Sequence, residues 1–171
     1  TFFTGGSYRE AAESDVDIIK EIIESVKYLT KTKTGALFVF KKAMSSMAYS
    51  EVGTDIDAKV STELILTIFH PNTPLHDGAV IIGDNKIKSA ACILPLTENN
   101  ISKGLGTRHR AAVGISENAD CIVVVVSEET GTISLVHNGK ITRNYNSVSA
   151  GAELRRLLLD SQEKKTSLVT T

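Results

Sequence analysis

The chain has 171 residues, 42% hydrophobic and 23% charged, which suits one globular domain burying roughly 70% of the surface its unfolded form exposes. Nineteen lysines and arginines against 20 aspartates and glutamates leave a formal net charge of -1, without the basic excess that a nucleic-acid groove or a membrane-surface binder needs. No run reaches the ~18 apolar residues of a transmembrane helix, the first residues lack the charged and apolar regions of a signal peptide, and Cys92 and Cys121 sit in apolar runs without metal-ligand spacing, as reduced core residues in a cytosol do.

Along the chain, Val16, Ile18, Ile19, Ile22, Ile23, Val26 and Leu29 recur at helical spacing and predict an amphipathic helix from Ser14, its N-cap, to Leu29. Gly35 to Phe40 reads as a buried strand, Lys41 to Gly53 as an irregular stretch, and Val60 to Phe69 as a helix stopped by Pro71 and Pro74. Gly78–Ile82 and Ile87–Leu94 predict a hairpin through Gly83-Asp84-Asn85-Lys86, so Asp77 falls at a strand mouth. A glycine-rich loop, Thr97 to Gly106, leads into a helix over Thr107–Glu117. Cys121–Val126, Ile133–His137 and Lys140–Tyr145 predict three more strands, and Ser149 caps a last helix bearing Leu154, Leu157 and Leu158. The polar stretch Gln162–Thr171 is predicted to be disordered. The expected architecture is α/β, a mixed central β-sheet flanked by helices on both sides in a single layered domain over residues 14–161, after an N-terminal segment 1–13.

The chain has no Gly-x4-Gly-Lys-Ser/Thr loop, and Gly104-Leu105-Gly106 lacks the third glycine of a dinucleotide fingerprint; CxxC, HExxH and GxSxG are absent too. Thr107-Arg108-His109-Arg110 is a different signal, since a helix N-terminus beside glycines and a forked guanidinium both favour phosphate oxygens, although a solvated basic turn looks the same. Three successive residues cannot share a helix face, which assigns Arg108 to phosphate and Arg110 to an ion pair. His76 and Asp77 precede a strand too apolar to need polar groups at its mouth, with Gly78 opening the backbone to a close ligand; a carboxylate serving only its own turn is the alternative. Ser127-Glu128-Glu129 closes the next buried strand, either as an exposed hairpin loop or as a phosphate donor with a carboxylate that joins His76 around magnesium or manganese.

Ordered matches from about Gly35 to Thr132 resemble the bacterial diadenylate cyclases. They include Ala58-Lys59-Val60-Ser61, Phe69 through Ala79, Leu94-Pro95-Leu96, Gly106 through Gly114 and Val126 through Gly131. Phe2-Phe3 and the first helix resemble the membrane-tethered class, in which transmembrane helices precede the cyclase domain. That implies a cytoplasmic domain held at the bacterial cell membrane by an upstream segment absent from this chain. The resemblance further implies ATP as substrate, with Asp77 activating a ribose 3′-hydroxyl beside Gly78 and Ala79, and Leu94 meeting adenine. Thr107, Arg108 and Ser127 hold phosphates, His109 supports their loop, and His76 and Glu129 bind magnesium, manganese or cobalt. Members often carry an aromatic residue just before that leucine; Ile93 stands here. The expected partners are ATP and a second copy of the chain, face to face, and no nucleic acid. Two competing readings are a nucleotide sensor without turnover and a metal-dependent phosphohydrolase using His76, Asp77 and His109.

Overall fold

The computed structural model describes the backbone of residues 6–42 and 52–169, and side chains for residues 18–42 and 52–160. Phe2-Phe3 and most of the Lys41–Gly53 stretch lie outside the described residues. The elements in chain order are α1 (Gly6–Lys31), β1 (Ala36–Lys41), β2 (Thr54–Lys59), α2 (Thr62–Phe69), β3 (Ala79–Gly83), β4 (Lys86–Cys92), α3 (Thr107–Asn118), β5 (Cys121–Val126), β6 (Ile133–His137), β7 (Lys140–Tyr145) and α4 (Ser147–Val169).

The seven strands form one sheet in the order β2-β4-β3-β1-β5-β6-β7. Among the described residues only β1 and β3 pair in parallel, and every other neighbouring pair is antiparallel. The central strands are continuous apolar runs because both of their faces are covered. On one face Phe38, Phe40, Val80, Ile82, Ile122, Val124 and Val126 pack with α1, α2 and α4. On the other, Leu37, Val39, Ile81, Val123, Val125 and Val136 pack beneath α3. The mixed sheet with helices on both faces is the expected architecture.

Strand direction decides where the ends collect. Ala36 of β1 faces Val126 of β5, Phe38 faces Val80 of β3, and Ala79 faces Cys92 of β4. The amino ends of β1 and β3 therefore share one sheet edge with the carboxyl ends of β4 and β5. Gly35, Asp77-Gly78, Ile93-Leu94 and Ser127 all lie along it.

Several local expectations are corrected. The first helix starts at Gly6, so Ser14 is internal rather than an N-cap. The last helix is capped by Asn146, whose Oδ1 accepts from the Ser149 N–H at 2.8 Å, while Ser149 Oγ accepts from the Asn146 N–H at 3.0 Å. Its backbone stays helical through Val169, across residues whose polarity predicts disorder. Strand β2 was not anticipated: Thr-Asp-Ile-Asp-Ala-Lys is a mostly exposed edge strand, which needs no apolar alternation. Both cysteines are buried and reduced, as expected, and burial pushes the Cys121 thiol up to about 12.

Candidate active site

Asp77 lies just ahead of β3, on a loop stitched by its own backbone. Thr73 Oγ1 donates to the Ile68 carbonyl at 2.9 Å, and the Thr73 carbonyl accepts the His76 N–H at 3.4 Å. His76 Nδ1 donates to that same carbonyl at 2.6 Å, so Nδ1 carries the ring proton and Nε2 keeps a lone pair. Asp77 is exposed, and no described residue pairs with it. Gly78 has φ +126°, a region essentially reserved for glycine. An added Cβ would meet the Ala91 carbonyl carbon at 2.7 Å, so this glycine makes room for β4 rather than for a ligand. Ala79 is fully buried, backbone included, and pairs with Cys92 of β4.

Helix α3 starts at Gly106 with no side-chain cap, leaving the N–H groups of its first turn available. A Cβ on Gly106 would meet nothing within 4 Å, so the approach is open. Thr107 is exposed at this terminus. Arg108 reaches from it across the amino end of β1: a Cβ on Gly35 would come within 2.5 Å of its Cζ and Nη1. The side chain is 21% exposed, and Nη1 pairs with Glu128 Oε2 at 3.1 Å. Its Nε is buried with no partner among the described residues. The ion pair expected of Arg110 therefore belongs to Arg108. Arg110 forms none among the described residues and instead donates from Nη2 to the Thr97 carbonyl at 3.2 Å.

His109 points inward and is 5% exposed, its Nε2 buried without a partner among the described residues. Burial first, then the positive charges of Arg143 and Arg108, hold it below the ordinary histidine range despite Glu129. That favours the neutral ring, buried beneath the first turn of α3. Ser127 Oγ accepts from the Glu129 and Thr130 N–H groups, both at 3.3 Å, so its own proton is free for a ligand oxygen. Leu94 is only 7% exposed, and the segment presents Ile93, 66% exposed, and Leu96 instead.

One edge thus gathers Asp77, Gly78, Leu94, Arg108 and Ser127. His76 and Glu129 flank it from the same two loops. Among the described residues no three or more histidine, cysteine or acidic side chains come together as a metal cage. A His76 Nε2 lone pair fixed by an Nδ1–carbonyl bond is nevertheless the usual state of a ligating imidazole, and it fits an ion taking most of its ligands from phosphate and water. Gly35 and Glu128 are the residues that meet the Arg108 side chain, and the sequence pattern did not single them out for it. The first looks like the start of any buried strand, and the second was overshadowed by Glu129.

Fold and edge together describe a mixed α/β domain with an exposed carboxylate and an uncapped, arginine-bearing helix N-terminus at one end of its sheet. The chain belongs to the family described as DisA bacterial checkpoint controller nucleotide-binding, whose model matches residues 23–141. It is 44% identical over 160 residues to the cyclic di-AMP synthase CdaA of Bacillus subtilis strain 168, covering 93% of this chain and 57% of that protein. It is 46% identical over 152 residues to the diadenylate cyclase of Listeria monocytogenes serotype 1/2a strain 10403S, covering 88% of this chain and 56% of that protein. The chain spans little more than half the length of these relatives. A crystal structure of a DacA double mutant from Staphylococcus aureus superposes with TM-score 0.82 at 44% identity, covering 85% of this chain and 98% of that one. No helix among the described residues is long and apolar enough to cross a membrane.

Proposed function

We propose that this chain is the catalytic domain of a diadenylate cyclase, joining two ATP molecules into 3′,5′-linked cyclic di-AMP and releasing two pyrophosphates. The observation that supports this most is one sheet edge offering an unpaired carboxylate, Asp77, and an arginine at an uncapped helix N-terminus, Arg108, in a chain of this family. Asp77 takes the proton of a ribose 3′-hydroxyl as its oxygen bonds to the α-phosphorus of a second ATP, and the bond from that phosphorus to the bridging oxygen breaks. Arg108, the free N–H groups of α3 with Thr107, and the Ser127 hydroxyl neutralise charge on the phosphates. Backbone at Gly78, with buried Ala79 behind it, borders the ribose, and Leu94 with its exposed neighbour Ile93 gives the adenine an apolar wall. His76 and Glu129 would hold a magnesium, manganese or cobalt ion, which when bound would neutralise the triphosphate and orient its leaving group.

A single chain supplies one Asp77 and one arginine-bearing helix, hence one ATP. Two copies facing each other across a two-fold axis would set each 3′-hydroxyl opposite the other's α-phosphorus, so the working species is a face-to-face homodimer. In the longer protein the domain works at the cytoplasmic face of the membrane, tethered by a segment upstream. Incubating the chain with ATP and manganese and separating the products by chromatography tests the reading. Cyclic di-AMP is expected; AMP or ADP would point to phosphohydrolysis, and unchanged ATP to a sensor.

A further inference from the structure

Residues 110, 114 and 117 of α3 form a stripe at i, i+4 and i+7, and each meets the segment that follows β4. Arg110 and Thr97 bond reciprocally: the Thr97 N–H donates to the Arg110 carbonyl at 3.1 Å, and Arg110 Nη2 donates to the Thr97 carbonyl at 3.2 Å. At Gly114 the helix comes so close that an added Cβ would run into the Pro95 carbonyl. Glu117 then accepts from Thr97 Oγ1 at 3.0 and 3.1 Å and from Asn99 Nδ2 at 2.6 Å. Thr97 is buried, while Arg110 is exposed. The Leu94–Thr97 segment is thereby fastened to the helix whose first turn carries Arg108.

We propose that Arg110 is a positioning residue for the nucleobase: it fixes the wall formed by Ile93, Leu94 and Leu96 at a set distance from the phosphate-receptive end of α3. This rests on the nucleotide reading above and adds to it how the two ends of one ligand are held in register. Arg108 grips the phosphates from the N-terminus of α3. Arg110, two residues on, turns to another face and grips the backbone that carries the base wall. A ligand with both a base and a triphosphate needs both ends placed together, whereas a bare triphosphate needs only the first.

The test is calorimetric titration of wild type, R110A, R110K and R108A with ATP and, separately, with inorganic tripolyphosphate. R110A is expected to weaken ATP by about tenfold, as losing one charge-assisted bond implies, with tripolyphosphate affinity unchanged. R110K, which can still donate to the Thr97 carbonyl, is expected to recover part of the ATP affinity. R108A is expected to weaken both ligands. Equal weakening of ATP and tripolyphosphate by R110A would make Arg110 a phosphate ligand and overturn the proposal, as would an unchanged ATP affinity. A wild type that binds neither ligand would instead overturn the nucleotide reading on which it rests. Arg110 is exposed, so both variants are expected to fold, and E117A, which removes the acceptor for Thr97 and Asn99, gives a second route to the same segment with the same selective loss of ATP.

Discussion

At the residue scale, two arginines two positions apart have unlike work, and the structure separates them by what each touches. Arg108 lies over Gly35, is mostly enclosed, and among the described residues pairs with one exposed glutamate, which a phosphate can displace. Replacing it with alanine should cost about 1.5–3 kcal/mol of triphosphate binding, read by calorimetry, and turnover should fall with it. Gly35→Ala offers a sharper check. The group it would crowd is the end of a flexible side chain, so the melting temperature should barely move while ATP turnover falls at least several-fold. A large loss of stability with normal kinetics would refute this role for Gly35. Sequence pattern singled out Arg108 as a candidate to hold phosphate. It did not reveal Gly35, because the constraint there comes from a residue 73 positions away that only folding brings over it.

His109 carries a prediction about acid. Its folded-state pKa is lowered by burial and by the neighbouring arginines Arg143 and Arg108. The unfolded chain, with an ordinary value near 6.5, therefore takes up the proton first. The stability that the neutral ring contributes is complete above about pH 6.5 and is lost as pH falls through the lowered value. Urea midpoints of the wild type should drop between about pH 7 and 5, and H109Q should flatten that part of the profile. An identical slope in both proteins would show that the ring is not buried neutral. Glu21, lowered by its hydrogen bonds to Thr62 at the start of α2, loses its contribution only at more acid pH.

At the scale of elements, the strands buried on both faces were the most legible, since β1, β3 and β5 have no polar alternation to confuse with a surface helix. The edge strand β2 left no such trace. Helix starts were misread for a similar reason: Ser14 and Ser149 are both plausible caps, and capping depends on where the preceding chain turns. The close packing of α3 on the segment after β4 was also hidden, because Gly114 reads as an indifferent helical glycine until the Pro95 carbonyl is seen against it. Gly114→Ala should therefore be costly, about 1–3 kcal/mol from overpacking even though alanine is the better helix former. A stabilised Gly114→Ala protein in chemical denaturation would mean that α3 does not press on this segment.

At the scale of the whole molecule, the parallel pairing of β1 with β3 inside an otherwise antiparallel sheet puts the Asp77 loop and the Ser127 loop on one edge. Strand order of this kind cannot be read from local pattern, which explains why candidate residues scattered from 76 to 129 were found without their common location. With a single Asp77 and a single Arg108 per chain, activity should depend on association. Specific activity is expected to rise with enzyme concentration and to level off as the dimer saturates, with sedimentation following the same curve. Constant activity per chain in samples of monomeric mass would contradict a two-fold mechanism.

The most direct test of the central claim is to quantify cyclic di-AMP and pyrophosphate formed from ATP with manganese by the wild type and by Asp77→Asn, with ATP binding measured on both. The account predicts two pyrophosphates per cyclic dinucleotide from the wild type. It predicts almost no product from a mutant that still binds ATP, because an amide can hydrogen-bond the ribose but cannot take its proton. Substantial cyclic di-AMP from Asp77→Asn, or a wild type that turns ATP into mononucleotides alone, would contradict it.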